Sequence, residues 1–176
     1  MQHSNHNKEG RRKMLKRQLM MILLVLSIGF VLGACSNKDE GSDMDKENAY
    51  TSARIAEDKV NTLFATALLK DEKTPILDPV IGTEAKAKEL LLSYFDESLV
   101  DKILAHYITD QKDGDNIIVN NEPFFSASIL STSQLDDVKI EGSKKEYTLT
   151  TSDQGVYSLK WIEDDDKYVV SNYEKK

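Results

Sequence analysis

The chain has 176 residues, 40% hydrophobic and 30% charged, with a net charge of -7. That leaves room for one ordinary domain or two very small ones, and excludes a disordered, collagen-like or low-complexity chain. One Cys and three His exclude an intrachain disulfide and any multi-Cys metal site, and make a His-rich site a poor expectation.

The charge is unevenly spread. Residues 1–18 carry a net +5 and the rest of the chain carries -12. A polyanionic domain is ill suited to nucleic acid, which needs clustered Lys and Arg, and an anionic membrane surface repels it. Between the two lies the uncharged run LMMILLVLSIGFVLGA, residues 19–34. As a helix it spans about 24 Å, short of the roughly 30 Å hydrocarbon core. A basic segment, an apolar run and small residues at its end form the layout of a secretory signal peptide. The basic side stays cytoplasmic, so the chain beyond the apolar run is exported.

The end of the run is more specific. Leu32-Gly33-Ala34-Cys35 resembles the lipobox of bacterial lipoproteins: an aliphatic residue, two small residues and a Cys. The resemblance implies cleavage between Ala34 and Cys35, a diacylglyceryl group on the Cys35 sulfur, and a domain anchored to a bacterial membrane outside the cytoplasm. Cys35–Lys176 is then the mature chain, 142 residues. Ser36 to Glu47 has Met44 as its one apolar residue, so residues 35–47 read as a lipidated Cys and a flexible acidic tether. Fully extended, the tether reaches about 40 Å.

Residues 48–176 read as one α+β domain, helices first. Ala53, Ala56, Val60, Leu63, Phe64, Ala67 and Leu68 recur at spacings of three and four, which predicts a helix from Asn48, its N-cap, to Leu69. Arg54, Glu57, Asp58, Lys59 and Lys70 fall off that stripe and read as solvated. Thr74 to Gly82, with two prolines, is a connection that packs through Ile76, Leu77, Val80 and Ile81. Thr83 caps a second helix with Ala87, Leu90, Leu91, Tyr94 and Phe95 inward. Asp96 caps a third, with Leu99, Val100, Ile103, Leu104 and Tyr107 inward, unless the two form one bent helix.

After Thr109 the period changes to two. Asp113-Gly114 predicts a turn before Ile117, Ile118 and Val119, and Phe124-Phe125 begins an extended stretch. Strands follow near 137–141, 146–152, 155–162 and 167–173, with short connections that favour an antiparallel meander. The expectation is two or three helices packed on a curved antiparallel sheet. This order is similar to cystatin-like or nuclear-transport-factor-2-like domains. LLLSYFDESLVDKIL, followed by a DG loop and strands, looks like the secreted bacterial inhibitors of peptidoglycan DL-endopeptidases.

Phe124, Phe125, Tyr147, Tyr157, Trp161, Tyr168 and Tyr173 are expected to form the core between helices and sheet, with Trp161 substantially buried. The competing reading lines a ligand-binding concavity with them.

No catalytic or metal site is expected, and no cofactor. His106 is the one exported imidazole and has no nucleophile beside it in the sequence; no G-x-S-x-G or S-x-x-K is present. The acidic stretch Asp110 to Asn116 fails as a calcium loop, because Thr109 and Asn120 stand where the first and twelfth positions need carboxylates. Asp164, Asp165 and Asp166 read as a hairpin turn and as the candidate surface that steers a basic partner. The expected function is non-enzymatic: a lipid-anchored domain that binds a protein or peptide and regulates a cell-wall enzyme. The alternative is a small-ligand carrier with a pocket between helices and sheet.

Overall fold

The structure, a computed structural model, describes residues 41–176. The expectations for the signal peptide, for Leu32, Gly33, Ala34 and Cys35, and for the tether up to residue 40 fall outside the described residues.

Helix α1 spans Asp43–Phe64. It starts five residues before the expected cap Asn48. Ser42 is the N-cap: its Oγ accepts from Asp45 N at 3.2 Å, and Asp45 Oδ2 accepts from Ser42 N at 2.9 Å. The apolar stripe locates only the buried face, which begins at Ala49; the first turn is held instead by this capping box. Residues 43–47 are therefore helical rather than tether.

The far end is also shifted. Ala65 is the C-cap, and the next residues turn into a narrow ribbon in which Ile76 N donates to Ala67 O and Leu69 N to Thr74 O. Backbone pairing takes over where the stripe has nothing left to cover it, and Leu68 is exposed. Helices α2 (Glu84–Leu91) and α3 (Glu97–Tyr107) are separate, capped by Thr83 and Asp96 as the sequence predicts.

The strands fall into two antiparallel sheets. Strands β1 (Ile108–Asp113) and β2 (Asn116–Val119) form a hairpin around Gly114, whose positive φ of 59° suits glycine. Its β2 edge is extended by residues 75–77, through Leu77 N to Ile117 O and Val119 N to Pro75 O. The other sheet is the meander β3 (Lys139–Ser143), β4 (Glu146–Thr150), β5 (Gly155–Ile162) and β6 (Lys167–Lys175), in sequence order. The expected extended stretch from Phe124 is instead a loop with two short 3-10 turns, Ile129–Ser131 and Leu135–Asp137. Its backbone is held by side chains rather than by a neighbouring strand.

One face of the meander carries Tyr147, Leu149, Tyr157, Leu159, Tyr168 and Val170, all buried with α1. Val170 and Tyr173 are three residues apart, yet both belong to this core face. A bulge makes this possible: Leu159 pairs with Val170 and Ser158 with Asn172, leaving Ser171 extra. The outer edge of β6 is covered by residues 94–96, with Asp96 N donating to Val170 O and Val170 N to Tyr94 O.

The aromatic set belongs to this core. Phe125, Tyr147, Tyr157 and Tyr168 are buried, and Phe124, Trp161 and Tyr173 pack half-buried against them. Trp161 is less buried than the sequence suggests. It sits near the end of β5, its ring 4.8 Å from that of Tyr168, with Lys144 Nζ 4.8 Å from its centroid on the open side.

Candidate functional site

The least expected group is Glu57. The sequence places it among the solvated residues, but it is 2% exposed. The signal for burial is in the spacing: residues 53, 57, 60 and 64 are four, three and four apart, so Glu57 lies on the stripe that buries Ala53, Val60 and Phe64. Its carboxylate accepts from Tyr157 Oη at 2.7 Å, from Ile129 N at 3.0 Å and from Ser128 Oγ. One turn earlier, Arg54 donates to Thr132 O at 2.6 Å and Ile129 O at 3.0 Å. Tyr157 Oη also bonds Ala127 O at 2.9 Å, and Tyr173 Oη accepts from Ala127 N at 2.8 Å.

The result is a clamp. Two side chains of α1 and two tyrosines of the sheet hold loop 125–132 between them. Burial pushes the Glu57 carboxyl above its ordinary range, and the three donors pull it partly back. Burial and the neighbouring Glu57 likewise push the Tyr157 hydroxyl up. Catalysis needs substrate access, and a carboxylate sealed between helix, loop and sheet has none. The clamp is structural.

The open site lies beyond the C-terminal end of α1. There the 67–76 ribbon, the Pro79 loop and the β1–β2 hairpin enclose a groove of about 460 Å³. Leu68, Ile76 and Pro79 contribute its apolar lining, and Lys70, Asp71 and Asp113 its charges. Asp71 is fixed: its carboxylate accepts from Lys73 N, Thr74 N and Thr74 Oγ1. Those bonds, the Thr74 hydroxyl first, hold the carboxyl below the usual carboxylate range. Beside Pro79, Val80 is 87% exposed, although the sequence pattern predicts it to pack inward; its neighbours Ile76 and Leu77 take the interior positions instead.

The residues singled out by sequence are scattered. His106 lies on α3, with Nε2 2.7 Å from Glu122 O and its ring edge-on to Tyr107 and Phe124. The acidic stretch from Asp110 is strand β1 and its turn; of it, Asp113 and Asn116 reach the groove. Asp164 and Asp165 lie in a short 3-10 turn between β5 and β6, with Asp165 2.9 Å from Lys167 and Asp166 left-handed at φ 50°. Glu146 pairs with Lys160, so this turn and the β3–β4 turn share one end of the sheet. Among the described residues, no group of three His, Cys, Asp or Glu side chains converges as a metal site, and no helix is long and apolar enough to cross a membrane. No protein-family model, curated protein or solved structure matches the chain.

Proposed function

We propose that the chain is a bacterial lipoprotein, anchored through a diacylglyceryl group on Cys35, whose α+β domain binds a protein or peptide outside the cytoplasm without catalysing a reaction. The anchor half rests on the basic segment, the apolar run and Leu32-Gly33-Ala34-Cys35. The binding half rests on the groove, where Leu68 exposes apolar surface beside Asp71 and Asp113, and on Val80, exposed next to the lining residue Pro79. Apolar contact beside a rim of two carboxylates and one ammonium, Asp71 and Asp113 against Lys70, suits a partner that presents an aliphatic or aromatic side chain next to Lys or Arg.

The cystatin-like or nuclear-transport-factor-2-like reading rests on the order of helices before a meander, and the resemblance to endopeptidase inhibitors makes a cell-wall enzyme the first partner to test. The space between α1 and the sheet is occupied by side chains such as Phe125, Tyr157 and Leu159, which weighs against a small-ligand pocket there.

The double substitution Leu68→Asp/Val80→Asp tests the groove. Both side chains are exposed, so the fold should survive with its melting temperature nearly unchanged. A partner recovered from native membranes with the unaltered chain should be lost with the variant. Undiminished recovery would place the binding surface elsewhere.

A further inference from the structure

The outer strands of the two sheets differ in how their open backbone is managed. Residues 94–96 cover β6, and residues 75–77 extend β2. Strand β1 breaks its register between Ile108 and Lys112, an irregularity that discourages further pairing. The edge of β3 has no such device. It pairs with β4 without a shift from Lys139↔Thr150 to Ser143↔Glu146. Among the described residues, no backbone group outside β4 bonds the N–H and C=O groups of residues 139–143. Charge along this edge is ordered. Asp136 and Asp137 precede the strand, Lys139 and Glu141 lie within it on one face, and Lys144 and Lys145 follow it. Glu146, next in the chain, is opposite Lys160 on β5.

We infer that the open edge of β3 pairs antiparallel with β3 of a second copy, about a two-fold axis at Ile140, joining the two meanders into one continuous sheet. The order of charges selects this partner. A lysine on an edge strand ordinarily deters a foreign strand. Here the same strand run in reverse supplies the counter-charges: Lys139 meets Glu141 on both sides of the axis. An axis through Lys139 or through Glu141 would oppose like charges instead. The acidic end of one strand then lies beside the basic end of the other. Asp137 already accepts from Ser133 N and Gln134 N, and Lys144 lies over Trp161, so Asp136 and Lys145 carry that contact. Ile140, half-buried against the core, gains the second Ile140 beside it, and Val138 falls opposite Gly142, which has no side chain to hold the backbones apart. An interface in which each contact occurs twice is the isologous form that closes at two copies.

The full chain, solubilised from native membranes in a mild detergent, is compared with Glu141→Lys and with Lys139→Glu/Glu141→Lys. Light scattering after size exclusion gives the protein mass apart from the detergent. Both side chains are exposed, 68% for Lys139 and 60% for Glu141, so all three chains should melt at nearly the same temperature. The unaltered chain should reach the mass of two copies by about 100 μM. Glu141→Lys sets Lys against Lys on both sides of the axis and should weaken the dimer about tenfold. The double substitution exchanges the two charges and should restore the affinity to within about threefold of the unaltered chain. The mass of one copy at every concentration would overturn the inference. A dimer that Glu141→Lys leaves unchanged, or that the exchange fails to restore, would overturn it too, because the contact would lie elsewhere. A different protein that copurifies with single copies and is lost with Glu141→Lys would give the edge to a foreign strand and overturn the second copy.

Discussion

Glu57→Ala should destabilise the domain by about 3 kcal/mol, combining lost hydrogen bonds with the space left by a buried side chain. The carboxylate collects Tyr157 Oη, Ser128 Oγ and Ile129 N, which come from different parts of the chain. Tyr157 Oη still has Ala127 O, and Ile129 N still has Tyr157 Oη, so the donors are not all orphaned. That moderates the loss. A shift in denaturant midpoint measures it, and a midpoint unchanged from the parent chain would contradict the clamp.

The same residue gives a pH signature. The folded state raises the Glu57 pKa above its ordinary value of 4.5, so it holds the proton where the unfolded chain has released it. Stability through this group is therefore fully present below about pH 4.5, and it falls as pH rises through the raised folded value. Glu57→Gln cannot titrate there. The stability of the parent chain minus that of Glu57→Gln should narrow as pH rises from about 4.5, then level off. Exposed carboxylates such as Asp45 and Asp71, whose pKa values are lowered, act in the opposite direction but are common to both chains and cancel. A difference that widens with pH would mean that the anion, not the acid, is the favoured buried form.

Gly155→Val should cost about 3 kcal/mol, at the upper end of overpacking penalties. Any Cβ at residue 155 would overlap Ala127 O and lie 2.9 Å from both Ala127 Cβ and Thr151 Oγ1. Those atoms are not free to move. Thr151 Oγ1 accepts from Gly155 N at 2.9 Å, and Ala127 is bonded by Tyr157 and Tyr173. Valine would push loop 125–132 off the sheet and strain the Ser128 and Ile129 bonds to Glu57. The effects of Gly155→Val and Glu57→Ala should then be less than additive in a double-mutant cycle. Strict additivity would show that the glycine contact and the clamp act independently.

Most of the helical architecture is legible in the sequence because it depends on local pattern. Thr83 and Asp96 cap where the sequence says, and the inward residues of α3 are those of its stripe. The four meander strands follow from alternation and from the turns between them. The illegible parts depend on tertiary partners. Ala67 and Leu68 continue a helical stripe, but their backbone pairs with residues 74–76 instead. Phe124 and Phe125 have strand-like composition, yet their loop is held by Glu57, Tyr157 and Tyr173 from distant parts of the chain. At Glu57 charge argues for the surface and spacing for the core, and spacing wins because the loop supplies two donors and Tyr157 of β5 a third. The groove is invisible for a similar reason: Leu68, Pro79 and Asp113 meet only once the ribbon and the hairpin are folded.

The intact mass of the protein isolated from its native membranes tests the lipid anchor most directly. A lipid-anchored domain predicts a chain that begins at Cys35 and carries a diacylglyceryl group there, with the lipid absent and residues 1–34 retained in Cys35→Ala. An unaltered chain that still carries residues 1–34, with a free Cys35 thiol, would contradict it.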